Sequence, residues 1–430
     1  MKNTIINKSF LIPLVVLSLI SCKKDYTDPN RATAEQVFSS SKGLTGVAIG
    51  LQRVYTLSRA GNLYNLITIN GLTTNELIVV NPGNTAEVQL ATGGTAVDGN
   101  HSMLTTFWST LNKVIYDADL VITNAKNLPD KNYASGLIAY SSIFKALSIG
   151  NLAEFWEKVP AGTGVNVTFI DRVDGYKKAI TVLDDALSAV SSNAISPAFL
   201  SNIPAGIDIV NTLQALKARY SLFAGLYSQA LAAANLVDLT KKSTFNFDAL
   251  SLNPVYETAT STNNVVQPKD STLGLPPSLA PSLTDGRVPF YTSINPTIAP
   301  RFRINGFGAA ATTAIPIYLP GEIMLIKAEA YARASTPDIA NATIELNKVV
   351  TKNNDIYGVN ANQPAVAPAT VQALLDEIYR QRSIELFMSG LKLEDMRRFN
   401  RPNSERKRNL MPYPLRERDN NPNTPPDPAF

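Results

Sequence analysis

The segment from Ile317 to Asn400 constrains the fold most, because it carries the longest regular helical pattern in the chain. From Glu322 it runs without glycine or proline as far as Pro337, and Pro320 stands where a first-turn proline removes no helical hydrogen bond. Apolar residues recur at helical spacing on two neighbouring faces: Ile323, Ile326, Ala330 and Ala334, and then Leu325, Ala328 and Ala332. The alanines on both faces predict a helix that other helices approach closely.

Two further helices are predicted in the same segment. We expect Thr336 as the N-cap and Pro337 as the first residue of a helix that ends at Val350. This helix and the preceding one would form an antiparallel hairpin. The next pattern predicts a helix over Val371–Ser389, with Gly390 as the residue just beyond its end.

Charged residues interrupt the apolar stripe of the predicted helix over 371–389. Arg382 and Glu385 both lie on that stripe, and burying either one alone would cost several kcal/mol. We therefore predict that they are paired structurally, and that Asp395 and Arg398 also belong to structural ion pairs. A catalytic pair is the alternative for Arg382 and Glu385, but the neighbouring sequence offers it no partner.

A series of short motifs in this part of the chain resembles the C-terminal half of the SusD/RagB family, whose members are surface lipoproteins that capture nutrients in Gram-negative outer membranes. The motifs are Ala328-Glu329-Ala330-Tyr331-Ala332-Arg333, Glu345-Leu346-Asn347, Arg382 with Glu385-Leu386, Gly390 with Asp395-Met396 and Arg398, and Pro412-Tyr413-Pro414. The sequence departs from the family pattern at Asn75, Gln381, Ser389, Lys392 and Leu393. The motifs still occur in the family order, and the resemblance covers most of residues 35–415.

This resemblance implies a mainly α fold, in which tetratricopeptide-like helix pairs pack against a loop-rich ligand-binding lobe. It also implies a function, which is to bind a nutrient oligosaccharide or peptide at the cell surface. The protein would deliver this ligand to a SusC-like, TonB-dependent outer-membrane transporter and act as a hinged lid on it. Binding and conformational change need no covalent step, so we expect no enzyme activity and no cofactor.

The N-terminal residues predict a lipid anchor. Lys2 and Lys8 precede and flank an apolar run, Phe10–Ile20, that is too short to span a bilayer. The run ends in Leu19-Ile20-Ser21-Cys22, which resembles a bacterial lipobox with Cys22, the only cysteine, as the lipidated residue. Acyl chains on Cys22 would hold the protein on a membrane. We predict a signal peptide over residues 1–21, a lipidated tether over 22–32 and one domain over 33–430, on the outer membrane and facing the exterior.

Helical patterns are also present in the N-terminal half of the chain. They predict helices at about Thr33–Ser58, Tyr64–Gly71, Thr106–Asn127, Ala134–Glu157, Tyr176–Val190 and Leu213–Asn235. Small residues alternate with large ones in the last stretch, as in tetratricopeptide repeats, although a strict repeat length is absent. A tetratricopeptide-type scaffold lipoprotein that binds other envelope proteins is therefore an alternative function.

Two turn-rich blocks interrupt the helices, at about 79–103 and 245–314. Long loops in compact domains are commonly functional, and the resemblance implies that the first block helps to build the ligand site. Its candidate ligand-binding residues are Asn81, Asn84 and His101. His101 is the only histidine, and without a second histidine or a nearby cysteine the sequence predicts no metal site.

The second block supplies three more candidate ligand-binding residues, Arg287, Tyr291 and Arg303. An aromatic ring stacks on the apolar face of a sugar, and amide and guanidinium groups hydrogen-bond to its hydroxyls. The competing interpretation is that the aromatic residues of this block attach an irregular lobe to the helices.

Composition and motifs exclude several other functions. The chain has 39 basic and 35 acidic residues in 430, a balance that does not favour nucleic-acid binding. We find no nucleophile elbow, zinc-protease helix, phosphate-binding loop or dinucleotide fingerprint. A surface glycoside hydrolase remains a second alternative, because its two carboxylates need not be close in sequence. Such an enzyme would place two carboxyl groups roughly 5–10 Å apart in a cleft.

Overall fold

The structure, a computed structural model, describes residues 33–259 and 264–429. The predicted signal peptide, the tether and the lipidation site Cys22 lie outside these residues. The helices of the described part are α1 Ala34–Phe38, α2 Ser41–Thr56, α3 Asn62–Thr73, α4 Thr85–Thr92, α5 Ser102–Ala125, α6 Lys131–Phe155, α7 Arg172–Ser192, α8 Pro197–Leu200, α9 Ile209–Phe223, α10 Tyr227–Asn235, α11 Pro254–Ala259, α12 Arg287–Tyr291, α13 Pro320–Ala332, α14 Ile339–Val350, α15 Val371–Glu385, α16 Lys392–Arg398 and α17 Leu415–Asn420.

The strands of the described part are short and form antiparallel pairs. They are β1 Leu77–Val79, β2 Lys158–Pro160, β3 Phe169–Asp171, β4 Thr244–Phe245, β5 Val266–Pro268, β6 Thr292–Ile294, β7 Phe302–Ile304 and β8 Ile315–Pro316. β1 pairs with β5, β2 with β3, β4 with β8, and β6 with β7. Two of these four pairs, β1 with β5 and β4 with β8, join segments that are far apart in the sequence.

The long helices form a scaffold in which each helix packs mainly on its neighbours along the chain. α2 packs on α5, α5 on α6, α6 on α7 and α7 on α9. The series continues from α9 to α10, from α10 to α13, and from α13 to α14 and α15. Such serial packing of helix pairs is typical of solenoid-like proteins. The prediction of a mainly α fold is confirmed.

Helix α6 lies at the centre of this scaffold and is buried on nearly all sides. Asp130 starts the helix by accepting a hydrogen bond from the Tyr133 N–H over 2.9 Å. A Cβ added to Gly136 would lie 2.3 Å from the ring of Phe199, and glycine at this position lets that ring pack directly on the helix backbone. Small residues on α6 thus set how closely its neighbours approach.

Two of the predicted helices are each divided into two helices. The stretch predicted over 33–58 forms α1 and α2, because Thr33 and Ser40 each cap a separate helix. The stretch predicted over 213–235 forms α9 and α10, which are separated by Gly225. Gly225 has a φ of 73°, a left-handed conformation that ends a helix.

The predicted start of α14 and the predicted end of α15 were wrong. Asp338, and not Thr336, caps α14 by accepting a hydrogen bond from the Asn341 N–H over 3.0 Å. The Asp338 carboxylate, two residues after Thr336, accepts this hydrogen bond from the first turn of the helix. The helix therefore begins at Ile339, and Pro337 lies outside it. α15 ends at Glu385 rather than at Ser389, because Leu386 is its C-cap.

The block predicted as an irregular loop over 79–103 is more ordered than expected. It contains α4, a 3-10 turn at Gly94–Ala96 and the start of α5. α4 packs against α3 and β1, so this block is attached to the scaffold along its length. Within the described residues, no helix combines the length and the apolar character needed to cross a bilayer.

A second, smaller hydrophobic core holds the C-terminal helices together. Leu325 and Ala328 on α13, Leu346 on α14 and Ile378 on α15 are all fully buried in it. The alanines of α13 let α14 and α15 approach on adjacent faces, as their spacing predicted. This arrangement positions α15 so that Glu385, in its last turn, faces the loop-rich lobe.

Candidate ligand-binding surface

Strand pairing brings the two predicted loop blocks together. β1 pairs with β5, with Val79 opposite Val266, and the Val80 N–H continues the pairing by donating to the Val265 carbonyl over 2.9 Å. β5 in turn packs against β7. The residues that follow β1, precede β5 and belong to β7 therefore meet at one edge of the lobe.

Asn264 is the residue that connects the two blocks at this edge. It precedes Val265, so it lies at the same end of the β1–β5 pair as Asn81, which follows Val80. Its Oδ1 accepts hydrogen bonds from Arg303 Nη1 over 3.1 Å and from Gln267 Nε2 over 2.7 Å. Asn81 and Arg303, both predicted as ligand-binding residues, therefore come to the same end of this strand pair.

The buried side chain of Gln267 fixes these strands to one another. Its Oε1 accepts a hydrogen bond from the Ile304 N–H of β7 over 2.9 Å. Its Nε2 also donates to the Ala259 carbonyl, at the end of α11, over 2.5 Å. The sequence did not single out Gln267 or Asn264, because amide residues are frequent in this block and only the tertiary contacts distinguish them.

Asn84 lies on the same edge and is held by an arginine that the sequence did not suggest. Its amide donates to the Asn81 carbonyl over 3.1 Å, and its Oδ1 accepts from Arg59 Nη2 over 2.9 Å. Arg59 also forms an ion pair with the buried carboxylate of Glu87. Burial, the largest single effect, acts to lower the pKa of Arg59, but the hydrogen bond to Glu87 together with the charge interactions with Glu87 and Tyr64 raises that pKa overall. Arg59 is therefore a positively charged side chain whose position is held by Asn84 and Glu87.

We call the set Arg59, Asn81, Asn84, Asn264 and Arg303 the amide–arginine surface. Each of these side chains is exposed or half-buried. Amide and guanidinium groups bond to hydroxyl groups, and here each is oriented by contacts within the protein. The surface can therefore bind a polar ligand without first ordering its own side chains.

His101, a further predicted ligand residue, does not lie on this surface. It is buried as the N-cap of α5, where its Nδ1 accepts a hydrogen bond from the Leu104 N–H over 3.4 Å. Its Nε2 lies 2.9 Å from the Ala86 carbonyl, to which it donates when Nδ1 is the acceptor. Burial lowers the pKa of His101 and favours this neutral form. The side chain thereby joins the block after β1 to the scaffold.

Arg287 and Tyr291 are also buried, and they attach the lobe to α15. The Arg287 guanidinium contacts Asp285 over 2.7 Å, Gln381 over 2.6 Å and Glu385 over 3.2 Å. The Tyr291 hydroxyl donates to the Glu385 carbonyl over 2.5 Å. These contacts match the competing interpretation, in which residues of the second block fix an irregular lobe to the helices.

The predicted ion-pairing residues of the C-terminal segment are all paired, but in part with other residues than expected. Arg382 and Glu385 do not pair with each other. Arg382 pairs with Asp395 over 2.9 Å, and Asp395 also binds Arg398 over 2.6 Å. Glu385, nearly one turn further along α15, binds Arg287 and Lys352 instead. Across the described residues, no group of three or more histidine, cysteine or acidic side chains forms a metal-binding cluster.

The sequence and the fold were compared with those of known proteins. The family model described as the SusD family matches residues 307–427. None of the curated proteins matches the sequence. The matched residues include the C-terminal motifs, so the family resemblance that these motifs indicated is confirmed.

The fold of the whole described chain is similar to that of solved SusD superfamily structures. One from Parabacteroides distasonis has a TM-score of 0.72 at 16% identity, and covers 93% of this chain and 100% of that one. A SusD homolog from Bacteroides thetaiotaomicron has a TM-score of 0.73 at 13% identity, with 93% and 99% covered. A SusD-like carbohydrate binding protein from Bacteroides fragilis has a TM-score of 0.67 at 16% identity, with 85% and 87% covered. At sequence identities of 13–16%, these structures show that the chain has a similar fold.

Proposed function

We propose that this chain is a member of the SusD/RagB family, which its C-terminal sequence and its fold support, and that it binds an oligosaccharide at the amide–arginine surface. It then delivers this ligand to a SusC-like, TonB-dependent transporter and acts as the transporter's lid. Cys22 carries the lipid anchor, and the protein sits on the outer membrane and faces the exterior. The mechanism is binding and conformational change.

The arrival of Asn81 and Arg303 at the same end of the β1–β5 pair carries the first part of this proposal. The two residues are 222 positions apart in the sequence, and a hydrogen bond of 3.1 Å connects Arg303 to Asn264, just before β5. A scaffold that binds other envelope proteins through its helices would not need this arrangement. Sugar hydroxyls can both donate to amide oxygens and accept from amide and guanidinium nitrogens. An oligosaccharide is therefore the ligand class that fits best.

The charges at this surface argue against a hydrolase. Glu87 is the carboxylate attached to the amide–arginine surface, and it is fully buried and bound by Arg59. Tyr64 also donates to it over 3.3 Å. A carboxylate held in this way stabilises the position of Arg59 and is not placed to attack or protonate a glycosidic bond.

Glycan-array binding by the mature protein, followed by calorimetry with the best ligand, tests the binding site. We expect Arg303→Ala combined with Asn81→Ala to weaken binding on the order of tenfold or more, because several charge-assisted and neutral hydrogen bonds are lost. Arg53→Ala is the matched control, since Arg53 is exposed on α2 and removes the same charge elsewhere. Unchanged affinity in the double variant, or binding of peptides alone, would contradict the proposal.

The role in transport needs a separate experiment. The lipidated protein is purified in detergent from its native membrane, and the co-purifying proteins are identified by mass spectrometry. We expect one large β-barrel transporter in stoichiometric amount, and we expect Cys22→Ser to release the protein from the membrane. A monomer without a barrel partner would exclude the lid function and favour the scaffold or the hydrolase.

A further inference from the structure

A second cleft opens on the scaffold, away from the amide–arginine surface. It has a volume of ≈ 710 Å³. Its walls are the solvent-facing side of α5, the loop between β2 and β3, and the region of α17. Residues of all three walls face it, among them Asn112, Tyr116, Gly164, Asn166 and Asn420. A cleft of this size is within the range of small-ligand sites.

A group of packed aromatic rings connects the elements that form the walls of the cleft. Trp108 stacks on Phe169 of β3, with ring centroids 6.3 Å apart and the planes 16° from parallel. Its edge-to-face contacts with Trp156 and Tyr413 have centroid distances of 4.8 Å and 5.8 Å. Trp108 Nε1 donates to Glu417 of α17 over 3.0 Å. One indole ring thus fixes all three walls relative to one another.

Asparagine amides hold the β2–β3 loop against the C-terminal segment. Asn421 Nδ2 donates to the Val167 carbonyl over 3.0 Å, and Asn423 Nδ2 donates to the Asn166 carbonyl over 2.7 Å. Asn421 also bonds to Glu417 over 2.9 Å. The cleft is therefore formed before any ligand arrives, and closing around a ligand requires little ordering of the loop.

The lining points to an uncharged ligand. Lys113 is paired with Asp117 on the next turn of α5 over 2.5 Å, and Glu417 is bound by Trp108 and Asn421. The charges of the cleft are thus satisfied within the protein, and an added ionic ligand would find no unpaired counter-charge there. The remaining polar groups are mainly amides and hydroxyls, which suit a ligand rich in hydroxyl groups.

Tyr116 supplies a platform for such a ligand. It is 52% exposed, in contrast to Trp108, Trp156 and Tyr413, which are buried. In the described part of the chain its hydroxyl has no hydrogen-bond partner, so nothing in the fold accounts for the ring's position on the surface. An exposed ring beside amides is the combination that binds the apolar face and the hydroxyls of a pyranose together.

We propose that this cleft is a second carbohydrate-binding site, which takes a neutral oligosaccharide with one pyranose stacked on Tyr116. It does not depend on the amide–arginine surface. Tyr116 lies fifteen residues along α5 from His101, or about 22 Å at the rise of an α-helix, and His101 contacts the block that carries Asn84. Two such sites on one chain would bind separate parts of a long glycan and raise its apparent affinity.

Intrinsic fluorescence can report on this cleft, because the two tryptophans of the chain, Trp108 and Trp156, pack on each other and Trp108 donates a hydrogen bond to Glu417, which lines the cleft. The full mature protein is titrated in detergent with maltohexaose, cellohexaose, xylohexaose and mannohexaose at up to millimolar concentration. We expect a saturable fluorescence change with at least one of them. Tyr116→Ala should weaken that binding on the order of tenfold, whereas Tyr116→Phe, which keeps the ring, should bind like the wild type.

Each outcome decides the proposal. Because Tyr116 is exposed, Tyr116→Ala should keep the melting temperature of the wild type, so a loss of binding would not reflect unfolding. No fluorescence change with any of the four sugars would overturn the proposal, as would equal affinity in Tyr116→Ala. Loss of the signal in Arg303→Ala instead would mean that the sugar binds only at the amide–arginine surface. Failure of that surface to bind glycans would leave the cleft result unaffected.

Discussion

Arg287 and Glu385, which are 98 residues apart, form an ion pair of 3.2 Å in which both side chains are fully buried. Arg287 belongs to the loop-rich lobe and Glu385 to the last turn of α15. Lys352 also binds Glu385, and Asp285 holds the other edge of the Arg287 guanidinium over 2.7 Å. The lobe is thus attached to the C-terminal helices by a network of buried charges.

Breaking this network from one side should destabilise the protein strongly. Glu385→Ala leaves the buried guanidinium of Arg287 without one of its carboxylates, and we expect a loss of about 3–5 kcal/mol. Unfolding by urea, followed by circular dichroism, measures the change. The control is Glu345→Ala, which removes a partly buried carboxylate whose partner, Lys348, is half exposed, and which should cost less than about 1 kcal/mol. Similar losses in the two variants would mean that the buried network does not stabilise the fold.

Gly321 on α13 is required for Glu385 to reach its partners. A Cβ at this position would lie 1.9 Å from Glu385 Oε1 and 2.4 Å from its Cδ. Glu385 cannot move aside, because Arg287 and Lys352 hold it. We therefore expect Gly321→Ala to lower the free energy of unfolding by about 1–3 kcal/mol, although alanine favours a helix.

A matched glycine tests this explanation. A Cβ at Gly50 on α2 would meet nothing within 4 Å. Gly50→Ala should therefore stabilise the protein, by roughly 0.5–1 kcal/mol, through helix propensity alone. The two alanine variants are compared in one urea series. A stabilised Gly321→Ala protein would show that the carboxylate is not confined.

The buried carboxylate of Glu76 predicts a pH dependence of stability. Burial raises its pKa from 4.5 to about 7, while Lys392 acts to lower it. At a pH between these two pKa values, the Glu76 carboxyl is mainly protonated in the folded state and mainly ionised in the unfolded state. The stability that this proton provides is therefore present at low pH, and it is lost as the pH rises through about 7.

The variant Glu76→Gln isolates this effect, because it cannot ionise. We expect the melting temperature of the wild type to fall relative to that of Glu76→Gln as the pH is raised from 5 to 8, with the largest change between about 5 and 7. Glu35→Gln makes the same substitution at an exposed position on α1 and is the matched control. A difference between the wild type and Glu76→Gln that stays constant from pH 5 to 8 would contradict the prediction.

Gln267 should affect ligand binding without touching the ligand. Gln267→Leu keeps the size of the side chain but leaves the Ile304 N–H and the Ala259 carbonyl unpaired in a buried site. Each lost partner should cost about 1–3 kcal/mol. Since Asn264 also loses its contact with Gln267, the position of Arg303 should be disturbed, and glycan affinity at the amide–arginine surface should fall.

Measuring ligand binding at both proposed sites separates the local effect of Gln267→Leu from general unfolding. Calorimetry with a ligand of the amide–arginine surface should show weaker binding to Gln267→Leu, whereas the tryptophan fluorescence titration of the cleft at Tyr116 should be unchanged. Limited proteolysis should show earlier cleavage near β5 and β7. Weakening at both sites to the same extent would indicate general unfolding instead.

The sequence alone determined the helices, their approximate order and the family resemblance. Helical spacing depends on local residue patterns, so Ile323, Ile326 and their neighbours predicted α13 and its close packing without knowledge of the rest of the chain. The motifs that carry the resemblance lie in the same helices. Helix ends were less certain, because several nearby side chains compete for the cap, as Thr336 and Asp338 do before α14.

Only the tertiary structure decided which residues meet. Two charges on one stripe of α15 suggested a pair, yet Arg382 and Glu385 point to different partners, Asp395 and Arg287, because the helix lies between two packed elements. Asn81 and Arg303 meet only through the pairing of β1 with β5 and the packing of β5 on β7. Strands of three residues leave no strong local pattern. Their pairing depends on the register of distant segments, which the packing of the whole chain determines.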